Sequence, residues 1–432
     1  MNNNLNIFLN KKILIYGLGK SGLSAYKFLS KKSHISLFDD FELKINDLDI
    51  KRNLIAYEEI LKIKFDCIII SPGIDINKCK LSNFLKKNFK RIYSDLDVFY
   101  EFYKNDCITI TGTNGKSTTC KLLYEILLGQ KLSVKLVGNI GNPILSVKNV
   151  KKKTIFIIEA SSYQLEYSKI FKSKYAVILN IYPDHIERHK NINNYINSKF
   201  KLLKNQSFGH FSFIKKNDPL IRRGLKKNKL RSKLIKVDTD RKNNYLSNIK
   251  NKYFNIETNR ENLCFLLQIS KKLKLKNNLI LDVLKNFRGL NYRQQIIYNK
   301  KNLIIINDSK STSFSSSIEV LKANHNILWL LGGIPKKGDK FNLSKKRQNK
   351  IKAFIYGKYK KFFNKKLKGK VSYENFKKLE DALKKIFSLI KKKKKIQQTL
   401  LFSPCAASFD DFKNFEDRGL YFNKLIKKHL WK

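Results

Sequence analysis

Residues 110–120 read ITGTNGKSTTC. An apolar strand pattern, CITI at 107–110, runs into Gly112 and Gly115, and a helix pattern opens at Lys116. Glycines let the backbone turn tightly and present N–H groups to phosphate oxygens, and the helix N-terminus adds partial positive charge. Lys116 can reach terminal phosphates, and the Ser117 hydroxyl can ligate Mg2+. The common phosphate loop has four residues between its first glycine and the Gly-Lys pair. Here only Thr113 and Asn114 intervene. A plain glycine turn is the bland alternative. The succession of strand, Gly-Lys-Ser and helix start opposes it. A strand, a phosphate loop and a helix in series set the expectation of a parallel sheet with ligands at the carboxyl ends of its strands.

The same grammar appears upstream in KKILIYGLGKSGLSAYKFL. Gly17, Gly19 and Gly22 follow a strand and open a helix, and Asp39 lies 20 positions beyond Gly19 at the end of HISLFDD. This is the spelling of a dinucleotide site in which the acid grips a ribose hydroxyl. The same turn accommodates any diphosphate, including that of a UDP-sugar, or no ligand at all. A third strand, residues 65–70, stops at Ser71-Pro72-Gly73. A triphosphate loop beside a separate diphosphate loop suggests one nucleotide as fuel and another as a handle on the substrate. A simple dehydrogenase is disfavoured.

Downstream of the phosphate loop, TIFIIEASSYQLE is a strand whose far end carries Glu159, in position for a Mg2+ ligand. YAVILNIYPDHIERH ends in Asn180 and leads to Asp184, His185 and His189. Lys199 lies 14 residues after His185, and nothing in its type or spacing singles it out. The basic stretch from Lys215 to Lys252 has no clear pattern. After FRGLNYR (287–293) come four strands, in NLIIINDSKSTSF, ILWLLGG, AFIYG and TLLFSPCAASFDDF. The expected architecture is α/β in three domains, each a mainly parallel doubly wound sheet. These are a Rossmann-like domain at 1–94, a P-loop ATPase-like domain at 95–292 and a Rossmann-like domain at 293–432.

The 432 residues include 90 Lys and Arg against 34 Asp and Glu, a formal charge of +56. A nucleic-acid footprint concentrates on one element. Here the lysines run along the whole chain, which reads as a compositional bias on a solvated surface. The densest run, residues 391–395, reads as an exposed loop. Six scattered cysteines form no C-x-x-C pair, which suits a reducing cytoplasm. No apolar run reaches the roughly 18 residues needed to span a membrane. A cytoplasmic monomer without specific nucleic-acid binding is expected.

TGTNGKST, EASSYQLE, NIYPDHIERH, NYRQQ, NDSKSTS, LGGIPKK and SPCAASFDDFKNFEDRG occur in this order over essentially the whole chain. In these motifs the chain resembles the Mur ligases. GLGKSG, SPGI and the closing motif point to the D-glutamate-adding branch. Another Mur-type ligase or a folylpolyglutamate synthase-like ligase would share the phosphate loop but not the closing motif. The resemblance implies ATP as fuel, two Mg2+ ions, UDP-N-acetylmuramoyl-L-alanine as acceptor and D-glutamate as the incoming amine.

It also implies residue roles. ATP would be bound by Gly112, Thr113, Asn114, Gly115, Lys116, Ser117, Thr118, Asn259, Asn262, Arg293 and Asp308. The UDP-substrate would contact Gly17, Gly19, Lys20, Ser21, Asp39, Ser71, Pro72, Gly73 and Asn139. D-Glutamate would meet Thr312, Lys336, Ser408 and Phe415, with Lys310 nearby. Metal would be held by Ser117, Glu159, His185 and an N-carboxylated Lys199, and Lys116, His185, Lys199 and Asn139 would be catalytic. The third block is expected to close on the reactants. The sequence departs from the family pattern at Asp40-Phe41, Thr258-Asn259, Asn291-Tyr292, Ile334-Pro335 and Cys405. None of these removes a residue that the chemistry needs.

Overall fold

Four short strands open the chain: β1 (Lys12–Tyr16), β2 (His34–Phe38), β3 (Cys67–Ile70) and β4 (Ile92–Tyr93). β3, with sequence CIII, is wholly buried, as suits a strand covered on both faces by helices. The four pair in parallel in the order β2-β1-β3-β4. The loops after β1, β2 and β3 therefore open at one edge. The computed structural model describes residues 6–42, 46–240, 249–300, 302–336, 338–392 and 396–430.

The second sheet is built from β5 (Cys107–Thr111), β6 (Val134–Gly138), β7 (Ile155–Glu159), β8 (Tyr175–Ile178), β9 (Phe211–Lys215) and β10 (Lys233–Val237). All pair in parallel, in the order β10-β9-β8-β5-β7-β6. β7 lies on one side of β5 and β8 on the other, so the chain changes its direction of build at β5. Ile110 pairs with Glu159 and Thr111 with Ile178, which brings the ends of β5, β7 and β8 level. Such a switch point forms a ligand crevice. The helix Lys116–Gly129 leaves from it and buries Leu122, Leu123, Ile126 and Leu127.

The third sheet region contains β11 (Gln295–Lys300), β12 (Leu303–Asn307), β13 (Ile327–Leu331), β14 (Ile334–Pro335), β15 (Ile351–Tyr356), β16 (Ser372–Phe376), β17 (Gln398–Phe402) and β18 (Ala406–Ala407). Six of these run in the order β11-β12-β17-β13-β15-β16, all parallel except β11 against β12. β14 and β18 form a separate antiparallel pair. Alternate residues pack into opposite cores. Ile304, Ile306, Trp329 and Leu331 join one cluster, and Ile305, Leu328 and Leu330 join the other. The two-residue period of a strand thus feeds apolar layers on both faces. The chain divides into two compact units. One comprises residues 1–241 and 264–280 with the first two sheets, and the other comprises 242–263 and 281–432 with the third.

The stretch that gave no clear pattern, Lys215 to Lys252, forms the helix Pro219–Lys227 and then β10. Asp218 caps that helix, accepting from the N–H groups of Leu220 and Ile221. Residues 241–248 lie outside the described residues. The run at 391–395 corrects the expectation of a loop: Lys391 and Lys392 are the exposed end of the helix Leu379–Lys392. Residues 393–395 lie outside the described residues.

Candidate active site

Gly115 sits at φ +84°, a backbone region that costs little only for glycine, and hands the chain to the helix at Lys116. Asn180, just beyond β8, fixes the loop from the side. Its side-chain oxygen accepts from the N–H groups of Thr113 (3.2 Å) and Asn114 (2.9 Å), and its amide donates to the Asn114 carbonyl (3.2 Å). The Thr113 hydroxyl lies 3.0 Å from the Tyr195 hydroxyl and accepts from the Tyr182 N–H at 2.9 Å. Two loop N–H groups expected to face phosphate therefore bond inside the protein and hold the loop in shape.

Two lysines converge on this loop. Lys116 Nζ donates to the carbonyls of Gly112 and Thr113, each at 2.9 Å. Lys199 Nζ donates to the same Gly112 carbonyl at 2.9 Å and lies 3.4 Å from Thr111 Oγ1. Lys199 is 1% exposed, and its ammonium lies 4.6 Å from the centre of the Tyr195 ring. Burial pushes its ammonium far below the usual lysine range. The charge of Lys116 adds to this, and Asp184 partly opposes it.

Glu159 ends β7 at 1% exposure. One carboxylate oxygen accepts from Asn139 Nδ2 at 2.8 Å, and the other, though buried, has no hydrogen-bond partner among the described residues. A buried carboxylate oxygen without a donor is costly, and a hard cation would satisfy it. His185 adopts φ +54° at the start of the short helix Ile186–His189. Its ring is 3.4 Å from Asp184 Oδ2 and 5.0 Å, centre to centre, from the Tyr163 ring. Among the described residues no group of three His, Cys, Asp or Glu side chains is placed to hold a metal. A centre here would draw on mixed donors: the Glu159 carboxylate, the Ser117 hydroxyl, His185 and phosphate oxygens. The unpartnered Glu159 oxygen fits Mg2+.

The first glycine loop is tightly closed. A Cβ on Gly22 would stand 1.9 Å from the Gly17 carbonyl oxygen, and Gly17 itself sits at φ +89°. Ser71 Oγ donates to the Gly17 carbonyl at 2.6 Å and joins the ends of β1 and β3. Asp39 accepts from the Leu18 N–H at 2.6 Å and from the Phe41 N–H at 3.1 Å. Both its oxygens thus bond to backbone, and it shapes the loop before it meets any ligand. The Ser21 hydroxyl donates to the buried carboxylate of Asp95, to which Gln164 also donates at 3.2 Å. Burial raises the Asp95 carboxyl above the usual range. Lys20 and Gly73 are exposed at this edge, beside half-buried Pro72.

In the other unit, Asn259 and Asn262 share one face of the helix Glu257–Lys272. Asn259 donates to the Tyr253 carbonyl (3.0 Å) and to Gln294 Oε1 (3.2 Å). The buried Nδ2 of Asn262 has no hydrogen-bond partner among the described residues. Tyr292 (φ +63°) and Gln294 (φ +50°) flank Arg293 in left-handed conformations. Asp308 follows β12 and accepts from the Gln294 N–H (3.1 Å) and from Ser403 Oγ (2.8 Å). Burial pushes its carboxyl up to about 7. The antiparallel pairing of β14 with β18, Ile334 against Ala407 and Pro335 against Ala406, puts Lys336 at one end of the short ladder and Ser408 at the other. Lys336 and Thr312 are exposed and Ser408 is buried. Lys310 Nζ lies 3.9 Å from the centre of the Phe415 ring. Lys337, in the LGGIPKK motif, lies outside the described residues.

Sequence reasoning gave no role to Tyr195, Asp95 or Gln164, and only a neighbour's role to Asn180. Asp95 and Asp97 open the helix Asp95–Phe102 after Ser94, a helix-start signature visible as S-x-x-D. Nothing in their spacing links Gln164 to Asp95, 69 residues away.

A phosphate loop at a sheet's switch point, backed by a buried acid and a buried lysine, defines a phosphate-loop nucleotide-binding protein. The chain belongs to the Mur ligase family. The Mur ligase middle-domain family model matches residues 110–280, and that of the "Mur ligase MurD-like, N-terminal domain" matches residues 11–92. The UDP-N-acetylmuramoylalanine–D-glutamate ligase of Rickettsia felis is 33% identical, over 98% of this chain and 99% of the relative. That of Buchnera aphidicola subsp. Schizaphis graminum is 35% identical, over 98% and 99%. Among solved structures, MurF ligase from Thermotoga maritima in complex with ADP superposes with a TM-score of 0.57 at 11% identity, covering 98% of each chain. MurC from the same organism gives 0.53 at 16% identity, covering 96% and 99%. At these identities the structures speak for the fold alone.

Proposed function

We propose that this chain is an ATP-dependent ligase that joins D-glutamate to UDP-N-acetylmuramoyl-L-alanine during synthesis of peptidoglycan precursors. The observation that carries this reading is near-full-length similarity to relatives bearing that activity in their names. Residues 1–94 would carry the acceptor, 95–292 the ATP site and 293–432 the amino-acid site.

The acceptor's terminal carboxylate oxygen attacks the γ-phosphorus of ATP. The bond to ADP breaks, leaving an acyl phosphate. The D-glutamate amine then attacks the carbonyl carbon, loses a proton, and expels phosphate as the amide forms. The first step brings two anions together, so cations around the γ-phosphate are the main requirement. Lys116 would leave its carbonyl partners for phosphate oxygens. Mg2+, held by Ser117, Glu159, His185 and an N-carboxylated Lys199, would neutralise phosphate charge when bound. Asn139 would orient Glu159, to which it already donates, and touch the acceptor.

Lys199 suits carbamate formation because it is buried and, among the described residues, bonds to a carbonyl rather than to an acid. Its neutral amine can add to CO2, form an N–C bond and release a proton. Asn259 and Asn262 would read the adenine, the unpartnered Asn262 amide supporting this. Arg293 would reach phosphate and Asp308 the ribose. Gly17, Gly19, Lys20, Ser21, Asp39, Ser71, Pro72 and Gly73 would hold the UDP moiety, and Thr312, Lys336, Ser408 and Phe415 would hold D-glutamate.

The test is phosphate release by the purified protein with Mg2+-ATP and UDP-N-acetylmuramoyl-L-alanine, adding single amino acids in turn. Release with D-glutamate alone supports the assignment. Release with another amino acid instead reassigns the pocket around Lys336 and Ser408.

A further inference from the structure

Arg188 lies three residues beyond His185, in the helix Ile186–His189, with its side chain 8% exposed. Its guanidinium reaches across to the first sheet. One terminal nitrogen donates to the Ile74 carbonyl and to the Tyr167 hydroxyl (2.8 Å), and the other lies 3.5 Å from the Gly73 carbonyl. Nε is 3.6 Å from a Glu166 carboxylate oxygen, and the group lies 5.0 Å from the centre of the Tyr163 ring. Gly73 and Ile74 continue directly from Ser71, whose hydroxyl holds the Gly17 carbonyl. One side chain therefore ties the segment of His185 directly to the loop after β3, and through Ser71 to the Gly17 loop, the two loops expected to meet the UDP-substrate.

We infer that Arg188 is a positioning residue that sets the distance between the acceptor's diphosphate loops and the phosphoryl-transfer centre. This rests on the proposed ligase reading. The acceptor is gripped at its diphosphate and reacts at a carboxylate at its far end, so an error in the spacing of the two loops is an error at the reacting atom. Displacements of about 1 Å cost on the order of a hundredfold in rate. A planar guanidinium can serve two carbonyls, a hydroxyl and a carboxylate together. A lysine ammonium keeps the charge but not that fork.

The experiment compares wild type, Arg188→Lys and Arg188→Ala by steady-state kinetics for each substrate, by calorimetry with UDP, and by thermal melting. The expected result for both variants is kcat/KM for the UDP-substrate lower by roughly ten- to a hundredfold. KM for ATP should stay within about twofold, and Arg188→Lys should melt close to wild type. UDP should bind more weakly to Arg188→Ala. Unchanged acceptor kinetics and UDP affinity in both variants would overturn the inference, as would equal losses for all three substrates that follow melting temperature. If wild type releases no phosphate with D-glutamate, the ligase reading fails on its own. The UDP calorimetry then decides whether Arg188 orders the loops.

Discussion

Lys199 shows what one residue reveals and conceals. As a letter it is one basic residue among 90, and only the family resemblance drew attention to it. Its surroundings were more telling. Tyr195, Ile196, Phe200 and Leu203 form the buried face of the helix Ile192–Lys204, and Lys199 falls on it. The apolar stripe around it, rather than its own type or its spacing from His185, is what marks it in the fold. Asp39 shows the opposite. Its spacing announced a ligand contact, while its bonds to Leu18 and Phe41 reveal a loop-shaping task that spacing could not convey. Lys199→Ala should lower kcat by roughly 10²–10³-fold, as removal of one charge-stabilising group does. Full activity without bicarbonate would refute the carbamate.

Asp308 gives a pH prediction. Its carboxyl titrates near 3.8 in the unfolded chain and at about 7 in the fold. Between those values the folded state binds more protons, so this group's contribution to stability falls as pH rises through the window and is flat above it. Asp308→Asn should remove that slope from urea midpoints measured between pH 5 and 8. The slope is at most about 1.4 kcal/mol per pH unit. An unchanged slope would show that Asp308 is not its source.

At the scale of elements, the strands that carry the site were legible because they are unbroken apolar runs ending in Gly, Glu or Asn. The elements that escaped notice include edge strands, as well as β9, which lies between β8 and β10. β16, SYENF, exposes part of its surface and lacks an apolar run, and β11 pairs antiparallel with a bulge near Ile296. Edge positions need to bury less, so their sequences say less. The glycine spacing of the Gly17–Gly22 turn was readable, and its logic is steric. Gly22→Ala would force a methyl group onto the Gly17 carbonyl. The expected cost is about 1–3 kcal/mol in urea unfolding, with weaker binding of the UDP-substrate. Wild-type affinity in that variant would mean the turn can widen freely.

For the whole molecule, a charge of +56 spread along the chain predicts attraction to any polyanion. Binding to duplex DNA should be indifferent to sequence and fall by a factor on the order of 10³ or more between about 50 and 200 mM salt. Filter binding with unrelated duplexes at both salt concentrations checks this. A sequence preference that survives high salt would show a built nucleic-acid site. No helix among the described residues is long and apolar enough to cross a membrane.

The shared carbonyl of Gly112 bears on how long the protein lasts. Lys116 and Lys199 both donate to that oxygen, and a phosphate that draws Lys116 away from it binds only the folded loop. Any ligand that binds only the native form shifts the folding balance in its favour, by about 2.7 kcal/mol at a hundred times its dissociation constant. A cell with ample nucleotide would therefore shelter this enzyme from proteases, and a starved one would let its turnover quicken.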